Sequence, residues 1–251
     1  MSNWQIQTSS FLLPKSGHEP SECEDAIGIN EAALRFAVAD GATEAFDSRG
    51  WARLLADDWV QLAPVPQTPD DFCDFVAGQA LRLHESWRSL PLSWYAEEKA
   101  RTGSFAAFVG VQLELEESLP SWKAIALGDS CLIHCRNGEI VTSLPIKRPE
   151  DFNATPMLVP SHASMQRMVR DKVVMGAGAV EDGDVLLLLS DATAYWYLKK
   201  ESAASEAHSL FDGLIKTAPE QELCELFSQE RISGSIPDDD IAVIRIAVAG
   251  P

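Results

Sequence analysis

The sequence predicts a layered α/β sandwich with mostly antiparallel sheets, and three observations predict it. Apolar, strand-like runs gather in the middle of the chain and one more closes it, with helical periods in two separate blocks on either side of the central strands. A doubly wound parallel fold would instead alternate strand and helix throughout. The third observation is chemical: an aspartate stands at the end of one apolar run after another. Leu34–Ala39 runs into Asp40-Gly41, Ala124–Leu127 into Gly128-Asp129-Ser130, and Val185–Ser190 into Asp191. The order inverts near the C-terminus, where Asp238-Asp239-Asp240 opens Ile241–Ile246.

Taken in order, the first strand pattern ends at Asp40. Trp51, Leu54, Leu55, Trp59 and Leu62 then keep a helical period, with Asp47 or Ser48 as its cap. The Pro-rich turn 63–69 separates it from a second helix carrying Phe72, Phe75, Val76, Leu83 and Trp87. Together they form one apolar layer for a sheet. Ser104–Leu115 and Trp122–Leu127 read as strands. Leu132–Val141 is a hairpin, because Asn137-Gly138 suits the type I′ turn that matches strand twist. The stretch 145–178 holds Pro145, Pro149, Pro156 and Pro160. It reads as a flap-like insertion with a short helix around Met165–Val169. A last helical region, Ala194–Gln229, precedes the closing strand. The expected organisation is a single domain over 1–251.

Composition excludes several classes of function. A chain of 251 residues, 46% hydrophobic and 23% charged, builds an ordinary globular core. Its longest apolar runs, such as Val185–Leu189, fall far short of the ~20 residues of a membrane-spanning helix. The formal net charge of −18 repels nucleic acid and anionic lipid, so neither is an expected partner. Cys23, Cys73, Cys131, Cys135 and Cys224 form no paired metal spacing, and an odd, scattered set reads as reduced thiols in a cytoplasm. No secretory signal is visible at the N-terminus.

The strand-end aspartates carry the chemistry. A buried carboxylate is costly unless its charge is compensated, and several together repel one another. No single stretch supplies matching lysines or arginines. Divalent metal on oxygen ligands, of the Mg²⁺ or Mn²⁺ type, is the expected compensation. Each aspartate alone could be a turn or cap residue, as Gly-Asp-Ser commonly is. His18 lies near the acidic segments, and the other histidines, His84, His134, His162 and His208, read as packing or surface residues. Ser130 and Ser190 do not sit in a nucleophile elbow.

Six segments, in this order, resemble the metal-dependent type-2C (PPM) Ser/Thr protein phosphatases. They are Cys23-Glu24-Asp25-Ala26, Phe36–Gly41, Arg101-Thr102-Gly103-Ser104, Ala126–Ser130 with the Asn137-Gly138 turn, Gly183–Asp191 and Asp239–Val243. The resemblance covers nearly the whole chain. It implies a four-layer αββα sandwich with a dinuclear Mg²⁺/Mn²⁺ centre between the sheets. It further implies that Asp40 bridges both metals, that the Gly41 carbonyl binds one, and that Asp191 and Asp239 are ligands. Glu24 and Asp25 would hold metal-bound waters or orient ligands, and Asp129 would join Asp191 at a weaker third site. Hydrolysis of phosphoserine or phosphothreonine would follow from attack by a hydroxide bridging two metals about 3.5–4 Å apart. The implied partner is a phosphoprotein of a Ser/Thr kinase signalling system, acted on by a monomer.

The chain also departs from the family pattern. The usual phosphate-gripping arginine, four residues before the early Glu, is replaced by Pro20, and Tyr195 stands where a further acidic ligand is often found. Arg49 and Arg53, four apart on one helix face, are candidates to bind substrate phosphate in place of that arginine. The alternative for the pair is a solvated helix face. The alternative for the chain is a catalytically weak or inactive metal-binding regulatory module that has kept the fold.

Overall fold

In the computed structural model, two antiparallel sheets lie face to face. It describes residues 4–251 except 89, 117–118, 154, 202–212, 214 and 216–219. The first sheet runs, in spatial order, β1 (Gln5–Leu13), β11 (Ile241–Ala249), β10 (Val185–Leu189), β6 (Cys131–Arg136) and β7 (Glu139–Leu144). The second runs β2 (Asp25–Asn30), β3 (Arg35–Gly41), β4 (Phe105–Glu114), β5 (Ser121–Leu127) and β9 (Val174–Ala179). The two-residue β8 (Val159–Pro160) pairs with the start of β4.

Three apolar layers hold the sandwich together. Alternating residues of both sheets meet in the middle, among them Phe36, Val38, Val109, Leu186, Leu188 and Ile244. The outward face of the second sheet is covered by α1 (Ser48–Trp59) and α2 (Pro69–Trp87), which bury Trp51, Trp59 and Phe72 against Phe108. The outward face of the first sheet is covered by α5 (Asp191–Glu201) and α6 (Glu220–Ile232), where Trp196 and Phe227 pack with Ile133 and Leu187. The arrangement is therefore αββα, as expected. β10 is apolar throughout, and β11 nearly so, because both faces of that sheet are buried.

Local signals place these elements. Asp47 caps α1 through the Gly50 amide, and Thr68 caps α2 through that of Asp71. Asn137 and Gly138 have φ of 53° and 81°, as the type I′ turn between β6 and β7 requires.

Three elements differ from the sequence reading. α3 (Trp94–Thr102) lies where no helix was expected; it buries no residue fully, so its apolar pattern is too weak to read. The end of the stretch read as a flap is β9, a regular edge strand on β5. Its Val-Met-Gly-Ala-Gly-Ala sequence hides the strand because small residues carry no apolar alternation. The remainder of that stretch holds α4 (Ala163–Val169), near the expected short helix. The last helical region starts earlier than expected, at Asp191 itself, and His208 with much of Ala194–Gln229 lies outside the described residues. Among the described residues, no helix is long and apolar enough to cross a membrane.

Candidate active site

The strand ends converge. Asp40 and Gly41 end β3, Asp129 follows β5, Asp191 follows β10 and Asp239 precedes β11. Two of these strands belong to each sheet, and all five residues line one cleft of about 200 Å³. Thr43, and Asn153, Pro156 and Leu158 from the segment after β7, complete its wall together with Ala42. Among the described residues that line it, none carries a positive charge.

Glu24 and Asp25 stand directly behind this wall. The Gly41 amide donates to the Glu24 carbonyl at 3.3 Å. Space at Gly41 is so tight that a Cβ there would meet the Ser48 carbonyl oxygen at 2.7 Å and that of Glu24 at 2.9 Å. The Glu24 carboxylate accepts from Ser48 Oγ at 2.5 Å, Thr43 Oγ1 at 2.7 Å and Lys15 Nζ at 3.2 Å. Asp25 is buried and pairs directly with Asp40 across β2 and β3. Neither Asp25 oxygen has a hydrogen-bond partner.

The acids perturb one another as their placement demands. Burial, then the charge of Asp25 and of Asp191, Asp129 and Asp239, holds Asp40 well above the ordinary carboxylate range, although Asp40 itself is open on its cleft side. Asp25 is raised well above that range by burial and by Asp191, Asp240 and Asp239, with Ser190 pulling the other way. Asp191 is pushed up to about 7, by burial first and then by Asp129 and Asp239. Asp129 reaches about 6, chiefly through burial. Asp239 is raised by burial, which Lys15 partly opposes.

Asp240 organises the entrance without lining it. Its carboxylate accepts from the backbone amides of Lys15 at 2.7 Å and Glu24 at 2.6 Å, tying the end of β1 and the start of β2 to β11. Asp238 accepts from the Ser16 amide at 3.0 Å. Arg231, from α6, donates to the backbone carbonyls of Pro14 and Asp239.

The two arginines singled out from sequence lie elsewhere. Arg49 donates to the Ser21 carbonyl, and Arg53 lines a separate groove with Asp57 and Ser10. Neither lines the acidic cleft. Tyr195 also lies outside that lining, with its ring edge-on to Phe152 at 5.8 Å. It packs against the segment after β7. His18 is exposed and is not part of the lining either. The residue that sequence reasoning missed is Lys15. Its ammonium bonds to Thr43, a lining residue, at 3.2 Å as well as to Glu24. Burial pulls Lys15 down, but the bond and charge of Glu24, with Asp240 and Asp239 behind, hold it above the ordinary lysine value. Lys15 was invisible because no motif includes it and no spacing rule ties it to Glu24 or Thr43; the fold of the segment between β1 and β2 brings it to them.

No protein-family model matches the sequence, and no curated protein matches it. Solved structures do match over nearly its full length. PppA, a regulatory component of the type VI secretion system in Pseudomonas aeruginosa, aligns with a TM-score of 0.59 at 17% identity, covering 98% of this chain and 100% of that one. The photosystem II phosphatase PBCP aligns at 0.60 and 16% identity, over 97% and 98%. The catalytic domain of the serine/threonine phosphatase PstP, in complex with two manganese ions, aligns at 0.59 and 15% identity, over 98% and 100%. This chain has the type-2C phosphatase fold.

Within the type-2C fold, the residues can be tested for a fit to metal. Hard oxygen donors from both sheets share one cleft, and Asp25 keeps two buried oxygens unpartnered behind it. Both observations suit a hard divalent cation. Among the described residues, no three acidic, histidine or cysteine side chains are already grouped to hold a metal ion. The donor set fits; a preformed coordination shell is absent among those residues.

Proposed function

We propose that the protein is a metal-dependent phosphoprotein phosphatase acting on phosphoserine or phosphothreonine. One observation carries the reading: Asp40, Asp129, Asp191 and Asp239 line a single cleft with no positive charge among its described lining residues, in a fold whose solved examples include a phosphatase holding two manganese ions. Asp40, Asp191 and Asp239, with the Gly41 carbonyl, would hold two Mg²⁺ or Mn²⁺ ions, and Asp129 a weaker third. Bound there, such ions supply Lewis-acid activation of water and neutralise phosphate oxygens.

The rest of the task falls to the chain. Glu24, fixed by Ser48 and Thr43, orients the wall around Gly41. Asp25 supplies negative charge directly behind Asp40. Lys15 would reach a phosphate oxygen over Thr43, and its bond to that lining residue supports it rather than Arg49 or Arg53 in that role. The segment carrying Asn153, Pro156 and Leu158 forms one side of the cleft.

The second reading, a metal-binding regulatory module without turnover, is favoured by the lack of arginine among the described residues that line the cleft and by the absence, among the described residues, of three acidic, histidine or cysteine side chains already grouped to hold a metal ion. Turnover of 4-nitrophenyl phosphate and of a phosphothreonine peptide, with and without Mn²⁺, separates the two. Mn²⁺-dependent hydrolysis is expected. A thermal shift with Mn²⁺ but no turnover would favour the regulatory module, and neither response would dismiss both.

A further inference from the structure

A second cavity, of about 320 Å³, opens beside the acidic cleft. Ala42 and Leu158 line both, so the two share a wall. Elsewhere its lining is mostly apolar: Ala45 and Phe46 from the loop after Gly41 and Phe105 at the start of β4, with Glu44 of that loop and Lys99 of α3 as its charged residues. The walls are built rather than incidental. Phe46 packs edge-on against Trp87 at 4.9 Å, and the Trp87 indole N–H donates to Asp47 at 2.7 Å, at the cap of α1. α3 adds exposed aromatic surface nearby, with Tyr95 beneath the Lys99 ammonium at 5.5 Å.

The acidic cleft is too small and polar to hold more than a phosphorylated side-chain tip, since pockets for whole ligands run from roughly 300 Å³ upward. Anything bound firmly through it must also make contacts outside it. The adjoining cavity offers apolar contact at a distance set by a shared wall, which suits a neighbouring side chain of the same polypeptide. A small polar phosphometabolite would leave it empty.

We infer that this cavity receives an apolar side chain of a phosphoprotein substrate, one or two residues from its phosphorylated serine or threonine; the inference rests on the phosphatase reading. The test uses fluorescein-labelled phosphothreonine peptides with leucine or serine at each of the two positions on either side. Both kcat/KM with Mn²⁺ and affinity by anisotropy are measured. At one position the leucine peptide is expected to win by about tenfold, the discrimination typical of apolar pockets. Ala45→Trp, which fills the cavity from the loop, should collapse that preference, and Thr102→Trp, which fills it from α3, repeats the test should the first variant misfold. No leucine preference at any position, or a preference that survives filling in a folded variant, would overturn the inference. If neither peptide nor 4-nitrophenyl phosphate is hydrolysed, the phosphatase reading fails separately, and the anisotropy ranking still decides the pocket.

Discussion

Asp25 and Asp40 stand directly opposite one another in the antiparallel β2–β3 pair, and Asp25 is buried with neither oxygen hydrogen-bonded. Like charges in directly opposed positions destabilise a sheet. The pair therefore persists at the expense of the metal-free fold. Asp25→Asn should raise the melting temperature of metal-free protein by ~2–4 °C, the shift produced by about 1 kcal/mol in a domain of this size. It should also shrink the further rise produced by Mn²⁺. Differential scanning fluorimetry in EDTA and in Mn²⁺ reads both, and a destabilised metal-free variant would refute the repulsion argument.

Asp40→Asn should remove both the Mn²⁺-induced stabilisation and the hydrolysis, because its carboxylate lines the cleft and feels the charges of Asp25, Asp191, Asp129 and Asp239. Near-wild-type Mn²⁺-dependent activity in this variant would show that Asp40 is not a metal ligand.

The raised acids fix the sign of a pH effect. Asp191 at about 7 and Asp129 at about 6 hold protons in the folded state that an unfolded chain, near 3.8, has released. The folded protein then binds more protons than the unfolded one between about pH 4 and pH 7, so this cluster's contribution to metal-free stability falls as pH rises through that window. Metal competes with those protons. The melting-temperature gain at fixed Mn²⁺ should therefore grow from pH 5.5 to pH 7.5, and a gain independent of pH would argue against binding at these carboxylates.

Much of this site was legible in the sequence because it is made of strand ends. An apolar run that stops at an aspartate fixes both the strand and the end of the sheet at which the acid sits, and Asp40, Asp129, Asp191 and Asp239 do meet in one cleft. What was not legible depends on tertiary pairing. The pairing of β1 along the whole of β11 brings residue 15 beside Asp240, and the loop between β1 and β2 folds Lys15 back onto Glu24. Arg49 looked suitable from helical spacing, but spacing does not say that the Ser21 carbonyl would claim its guanidinium. β9 escaped because glycine and alanine leave no apolar period, while α3 escaped because it has almost nothing to bury.

Lys15→Ala should lower kcat/KM for phosphoester by about tenfold or more, as expected for losing one hydrogen bond to a charged group. Lys15→Arg should retain most of it, and Arg49→Ala and Arg53→Ala should change little. Steady-state kinetics on the four variants rank the cations. A loss confined to Arg49→Ala or Arg53→Ala would restore the helix-face arginines to the substrate role.

Asp184 provides a control for stability at the other end of the same strand. It is buried before β10, where Arg136 grips it at 2.8 Å through two nitrogens and the Glu181 amide donates at 2.8 Å. His134 completes the set across the sandwich: Trp122 Nε1 of the second sheet donates to its Nδ1 at 3.2 Å, so its Nε2 carries the proton given to Asp184 at 2.9 Å. Burial pushes Asp184 up, but Arg136, the Glu181 amide and His134 together bring it below its ordinary value. Its stabilisation is thus present above the unfolded pKa and lost as pH falls through the folded one. Asp184→Ala takes the buried anion from His134 and leaves the partly exposed Arg136 with Glu181 alone, and truncating one partner of a fully buried pair removes about 3–5 kcal/mol at most. Asp184 and Asp191 bracket a five-residue strand, placing them roughly 20 Å apart at the rise of an extended chain. Urea denaturation should therefore find Asp184→Ala much less stable, while its melting-temperature gain with Mn²⁺ stays that of wild type. A variant that loses the Mn²⁺ response along with its stability would mean that the two ends of β10 are energetically coupled, and that the cleft cannot be treated as an independent metal-binding unit.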